Sequence, residues 1–324
     1  MKRILRLAGV RILQSVPVVL GITLLVFVLL KLAPGDLVDV MAAESQVSDI
    51  QLLEKMRADY GLDKSLLVQF GNYASNVARA DLGYSPRDQA DVSTLISQRL
   101  PATLLLMLAG LFVAIFGGIL LGAIAALRVG TWVDNVLSIA MVVFFAAPGF
   151  WLALMLIVLF SVKLGWLPVS GLVAIHLTPG TLAYAIDVFK HLVLPAAALG
   201  AFYMAIYARV MRASMLEVHG MDFITTARAK GAGEARIALR HVLRNALLPV
   251  LTLFGLQLGA LLAGSIVIES VFSWPGLGTL LFDAVQARNM PVVAGVLLLV
   301  SFAVVVANLV VDIAYVWFDP RIAA

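Results

Sequence analysis

"PATLLLMLAGLFVAIFGGILLGAIAAL", residues Pro101 to Leu127, holds no charged side chain. A helix rises 1.5 Å per residue, so about 20 mainly apolar residues cross the hydrocarbon core of a bilayer. A membrane-spanning strand needs only about 10 and alternates apolar with polar positions. This run is too long and too evenly apolar for a strand, and it reads as a transmembrane helix. Ile12–Leu32, Val136–Val162, His191–Val210, Leu248–Ile268 and Pro291–Trp317 have the same character. The expected fold is an all-α integral membrane protein, a bundle of six transmembrane helices.

The composition agrees. Of 324 residues, 62% are hydrophobic and 13% charged, against about 45–50% and 25% in soluble domains. The net charge of +4 is no sign of nucleic-acid binding, because the basic residues lie between apolar spans, where membrane orientation accounts for them. The absence of cysteine excludes disulfides and thiolate metal sites. His176, His191, His219 and His241 are scattered without metal-ligand spacing. Lys2, Arg3, Arg6 and Arg11 before Val16–Leu30 have the layout of a signal peptide. The exit "LKLAPGD" offers no small-x-small cleavage site, so this segment reads as an uncleaved first span.

Orientation follows from lysine and arginine. The N-terminal tail carries four, Arg128 lies in loop two–three, and Arg209, Arg212, Arg228, Lys230, Arg236, Arg240 and Arg244 follow span four; loop five–six has only Arg288. The positive-inside rule then makes both termini and loop four–five cytoplasmic, and a chain without cysteine suits both sides of a bacterial inner membrane. Residues 36–100 are expected outside. There "DIQLLEKMRADYGLD" reads as a short helix closed by Gly61, and "LVQFGNYASNVARADLG" as another followed by Gly83. The expected plan is a tail and first span (1–35), a periplasmic helical subdomain (36–100) and a core (101–324) with a cytoplasmic loop (214–248). Loop three–four reads as interfacial, with Trp166 at headgroup depth.

That cytoplasmic loop contains "DFITTARAKGAGEARIALRHVLRNALLPV", Asp222 to Val250. Asp222–Lys230 can form a short helix ended by Gly231 in a left-handed conformation. Glu234–Leu247 can form a second, with Glu234 at the positive end of its dipole and Pro249 opening span five. Arg236, Arg240 and Arg244 recur every four residues as a cationic stripe, which by itself suits anionic lipid headgroups. The small, flat side of "TTARAKGA" suits a protein cleft instead.

This stretch resembles the cytoplasmic EAA loop of ABC importer permeases in the form found in the dipeptide/oligopeptide/nickel family. The pattern is Glu-Ala-Ala, three residues, Gly, then Leu-Pro; here Thr225, Thr226, Ala227, Gly231 and Leu248-Pro249 occupy those places. The resemblance extends through "APGD" after span one, "YGLDKSLLVQF" and "ADLGYS" in the outer loop, and "RLPATLLL" at span two. "RASMLEV", "ESVFSWPGLG" and "NLVVDIAYVWFDPRI" continue it to the end. Ser65 stands where the family has Pro, Ala80 where it has Gly before Asp-Leu-Gly, and Leu105 and Leu106 where an acid follows "LPAT".

The resemblance implies a permease subunit that is not itself an enzyme. No lysine follows a glycine, so no Gly-Lys-Ser/Thr phosphate loop exists. ATP and Mg would be bound by two separate ATPase subunits, with no cofactor on this chain. A second, related permease subunit and a periplasmic substrate-binding protein would complete the importer, with membrane lipid around it. Asp222, Thr225, Thr226, Ala227, Arg228, Lys230 and Gly231 would form the coupling helix, with Ala227 and Gly231 at the ATPase contact. Short peptides are the expected ligands, with nickel chelates or glutathione as alternatives.

The pathway has fewer markers. "FFAAPGFW" breaks span three at Pro148 and Gly149, after Phe145, and either shapes a cavity or kinks a packed helix. Gln257, in mid-span five, either lines the route or bonds to a neighbouring helix. Asp312, well inside span six, is expected to pair with Arg209 or Arg212 at the inner membrane edge. Two other classes fit a six-span protein: a secondary transporter, which calls for mid-membrane coupling carboxylates and a repeated half, and a non-transporting assembly subunit.

Overall fold

The structure is a computed structural model that describes residues 2–32, 38–39, 42, 50–59 and 61–318. Among them the elements are α1 (Lys2–Leu32), α2 (Ile50–Asp59), α3 (Leu66–Ala78), a hairpin of β1 (Tyr84–Ser85) and β2 (Ala90–Asp91), and α4 (Val92–Leu127). Then come α5 (Trp132–Ala146), α6 (Gly149–Leu156) running into a π-helical segment (Ile157–Lys163), α7 (Leu182–His219) and α8 (Asp222–Ala229). The chain closes with α9 (Glu234–Arg236), a second π-helical segment (Ile237–Val242), α10 (Leu243–Val271), α11 (Leu277–Gln286) and α12 (Met290–Phe318).

Four helices, α1, α4, α7 and α12, carry apolar stretches long enough to cross a membrane by themselves, and α5 with α6 qualifies as a pair. Helix α10, at 29 residues, is about 43 Å long and has the length for a crossing. Every expected span is therefore helical, although several bounds differ. Helix α4 begins nine residues before Pro101, which lies inside it. Helix α7 extends the expected His191–Val210 at both ends, and its first turn is capped by Thr181, whose hydroxyl accepts from the Tyr184 amide at 3.2 Å.

Two expectations are corrected. Val136–Val162 breaks where expected, at Ala147–Pro148, but by 111° between α5 and α6, far more than a helix kink. The proline ring disfavours helical backbone at the residue before it, and Ala147 is extended at φ −70°, ψ 132°, with Pro148 starting a new helix from outside. Nor does Pro249 open span five, because the helical path runs unbroken from Glu234 through the π-helical segment to Val271, with Pro249 inside α10. Proline inside a long apolar helix is tolerated where neighbouring groups take over the freed carbonyl.

The chain divides into two compact units, residues 102–278 and residues 1–101 with 279–324. In the first, α7 is the central element, burying Ala196, Ala198, Gly200, Ala201, Ala205, Ala208 and Met211. Small residues on α4 let the two backbones meet. A Cβ on Gly118 would lie 2.5 Å from the Tyr207 Cβ, one on Gly200 would lie 2.7 Å from the Gly110 carbonyl oxygen, and one on Gly122 would overlap the Ala208 carbonyl oxygen. Gly118 and Gly122 form a GxxxG pair, which permits such close approach in lipid.

In the second unit α1 packs along α12, where Val26, Ala294 and Leu298 are buried with Ile22, Leu30, Tyr73 and Val77 around them. Gly61 and Gly83 both take positive φ, as their places after the outer helices predict. The hairpin was not foreseen. Asn289 pins it, donating to Ser85 Oγ and Asp88 Oδ2 at 2.8 Å each. Ala80, where the family pattern has glycine, sits at φ +61°, a left-handed conformation that costs a residue with a Cβ about 1–2 kcal/mol.

Candidate functional site

The short helix α8 is built as a knob. Its N-terminal turn carries Asp222, where the helix dipole favours a negative charge. Its far end closes with two reversed hydrogen bonds, Gly231 N to Arg228 O at 2.9 Å and Ala232 N to Ala227 O at 3.2 Å. That closure requires a left-handed residue, and Gly231 supplies it at φ +80°. Ile224 is fully buried and Ala227 and Ala232 pack beside it, so this face seats α8 on the protein's own core. Asp222, Thr225, Thr226, Arg228 and Lys230 are exposed, flanked by exposed Met221 and Phe223.

Several of the expected coupling residues also make contacts within the chain. Ala227 is half-buried and packs against the core beside Ile224. Arg228 reaches across to α9, its Nε 2.7 Å from Glu234 Oε1 and its Nη2 3.2 Å from Glu234 Oε2. These bonds hold the Glu234 carboxyl below its ordinary range and push the Arg228 guanidinium up. Thr226 turns back to donate to the Asp222 carbonyl at 3.1 Å. The outward surface of this stapled two-helix unit thus includes Asp222, Phe223, Thr225, Thr226, Arg228 and Lys230.

Arg212, one of the two arginines expected to meet Asp312, is bound to another acid, Asp134. Arg212 donates from Nε to Asp134 Oδ1 at 2.7 Å and from Nη2 to Asp134 Oδ2 at 2.8 Å. Asp134 is buried and also accepts from the Gly130 amide at 3.1 Å. Its position in the first turn of α5 was the available signal: a carboxylate favoured at a helix start, on the same membrane side as Arg212 by the loop count. The side chains of Asp312 and Gln257 lie outside the described residues.

Of the route candidates, Phe145 is 40% exposed at the end of α5. It stacks on Phe202 of α7, with ring centroids 5.2 Å apart and planes 15° from parallel. The Arg209 guanidinium also lies over the Phe145 ring, its carbon 4.3 Å from the ring centre. Pro148 and Gly149 are exposed at the bend, where a Cβ on Gly149 would meet nothing within 4 Å.

The "ESVFSWPGLG" motif folds into a buried clasp. Glu269 accepts from Thr103 Oγ1 at 2.8 Å and from the Gly278 amide at 2.6 Å, and Thr103 Oγ1 accepts from the Leu277 amide at 2.7 Å. Trp274, fully buried, donates from Nε1 to the Ala102 carbonyl at 2.8 Å. A Cβ on Gly276 would overlap the Glu269 carboxylate. The motif was legible as a unit; its partner on α4, an isolated threonine, was not.

Among the described residues no three histidines or acids gather as a metal site. Long apolar helices, several of them packed on α7, with the short helix α8 seated beside them, mark a multi-pass membrane protein. The matches to known families agree. The description "Binding-protein-dependent transport system inner membrane component" fits residues 118–324, and the N-terminal part of such components fits residues 4–107. The chain belongs to this family of inner membrane permease subunits of ABC importers, which sets aside the secondary-transporter reading.

Over 321 residues it is 43% identical to the di/tripeptide transport system permease protein DppB of Pseudomonas aeruginosa (strain UCBPP-PA14), covering 95% of each chain. It is 41% identical over 315 residues to the oligopeptide transport system permease protein AppB of Bacillus subtilis (strain 168), covering 96% of this chain and 97% of that one. Its fold is similar to a solved structure of the MetNI methionine ABC transporter in inward-facing conformations. That likeness has a TM-score of 0.53 at 21% identity and covers 67% of this chain and 93% of the other.

Proposed function

We propose that this chain forms half of the translocation route of a peptide importer, paired with a related but distinct permease subunit. A periplasmic binding protein delivers the solute, and two partner ATPase subunits bind ATP and Mg. Both termini and α8 face the cytoplasm, and residues 36–100 face the periplasm. Short peptides are the default cargo, as the names of the relatives suggest.

One observation carries the coupling role. Helix α8 is rigidly seated by Ile224 and Ala227, closed by Gly231 and stapled by Arg228 to Glu234, yet its outer face is left open. A force applied to that face passes into the π-helical segment packed against α8, and from it into α9, α10 and α7. Nucleotide-driven movement of an ATPase groove would thus bias two packed states of the spans.

The test is ATP hydrolysis and peptide uptake by the purified complex in proteoliposomes, with and without the binding protein. Thr225→Trp and Thr226→Trp, on the outer face, should leave the chain folded while separating hydrolysis from uptake. If both variants transport as the parent does, α8 is a membrane-surface loop and not the coupling element.

A further inference from the structure

Arg209 and Arg212 lie one turn apart on α7 and have opposite surroundings. Arg212 is held in a two-bond fork by Asp134. Arg209 is exposed, and among the described residues its one recorded contact is the Phe145 ring. We propose that Arg209, laid on Phe145, is a station on the translocation route that receives the carboxylate of the transported solute. This rests on the importer reading above.

The outward stripes of two helices decide what Arg209 faces. Helix α4 exposes Leu104, Leu108, Phe112, Phe116 and Leu120, a wholly apolar line at four-residue spacing that suits lipid tails. Helix α7 is the most buried candidate span, with 67% of its most apolar window covered. Its exposed line at the same spacing is Arg209, Ala213 and Glu217. An ionisable side chain within a span faces the bundle interior or a water-filled cavity, because hydrocarbon does not solvate it. At the inner end of a span the alternative is the headgroup layer, to which arginine can snorkel; the proposal sets this stripe toward the route, and the labelling below separates the two.

The chemistry at the station is specific. A guanidinium over an aromatic face keeps its N–H donors for another acceptor, and the planar fork matches a carboxylate. Glu217 is no substitute acceptor, since eight residues along a helix is about 12 Å. Ala213 leaves room beside Arg209, and the open space at Gly149 lies just beyond Phe145 in the chain. A single exposed guanidinium holds an anion firmly enough to orient it and weakly enough to release it, as transit requires.

Two arms test this in the assembled importer. In the first, Ala213→Cys, in a chain with no other cysteine, is treated with anionic and cationic membrane-impermeant thiosulfonates, with and without trapped nucleotide, and labelling is read on this chain by mass spectrometry. Labelling in at least one state, favouring the anionic reagent and losing that preference in Arg209→Gln, supports the station. No labelling in any state, or a preference unchanged by Arg209→Gln, overturns it and leaves Arg209 against the second subunit or lipid.

The second arm compares uptake of one peptide with a free and an amidated C-terminus, both first shown to load the binding protein. The binding protein's own preference cancels between variants. The free-to-amide ratio should fall roughly tenfold in Arg209→Gln, the scale of a lost hydrogen bond to a charged group, and part of it should return in Arg209→Lys. An unchanged ratio overturns the proposal, as does an effect that follows the anionic-lipid content of the vesicles in place of the peptide terminus. If the assembled parent complex moves no peptide, the importer reading fails on cargo, and the labelling arm decides the anion station alone.

Discussion

Thr103 and Glu269 stand 166 residues apart in the chain and share a hydrogen bond of 2.8 Å in a fully buried setting. Around that bond the Leu277 and Gly278 amides find their acceptors, and Trp274 is held against the start of α4. Glu269→Ala would strand the Thr103 hydroxyl and the Gly278 amide, at about 1–3 kcal/mol for each buried group left unpaired. The expected result is a lower melting temperature of the purified complex and protease cleavage within residues 273–278. Cleavage and melting like the parent's would show that water or a neighbour can replace the carboxylate.

Asp134 is the acid that Arg212 needs. Asp134→Ala should reduce assembly of the complex, because a fork-bonded guanidinium loses both acceptors at once. The exchanged pair, Asp134→Arg with Arg212→Asp, should recover part of that loss. Yield of intact complex on size-exclusion chromatography reads both, and single variants that assemble normally would remove the pair from the structural core.

The α4–α7 seam tolerates no side chain. Gly122→Leu should cost at least the roughly 1–3 kcal/mol of ordinary overpacking, since the obstacle is the Ala208 carbonyl, which cannot rotate aside. Gly149→Ala, in open space, is the control. A thermal-unfolding series in detergent should separate the two clearly; equal midpoints would mean that the helices do not meet at Gly122.

The Arg228–Glu234 staple should be insensitive to pH near neutrality. Its carboxyl is held below the ordinary glutamate value by the Arg228 hydrogen bonds, so its contribution is complete above that ordinary value, about 4.3. It is lost as pH falls through the lowered one. Amide exchange over residues 229–234 should be slower in the parent than in Glu234→Gln by no more than about fivefold, because the pair is exposed. That difference should stay constant from pH 8 to 5 and shrink below. A difference that disappears between pH 8 and 6 would point to another titrating group.

What could be read from the residues alone was whatever depends on a local run. The apolar stretches located the spans because bilayer thickness imposes a length on any helix that crosses it. Gly231, Gly61 and Gly83 marked helix ends because positive φ is a property of a single residue. Pro148 and Gly149 marked a break for the same kind of reason. Only the tertiary structure decided the rest: the 111° turn there, the pairing of Asp134 with Arg212, the packing of Ala227 against the core, and the Thr103–Glu269 bond. These depend on which surfaces meet. A buried carboxylate takes whichever donor the packed helices bring within 3 Å, and that distance is set by side chains and glycines far away along the chain.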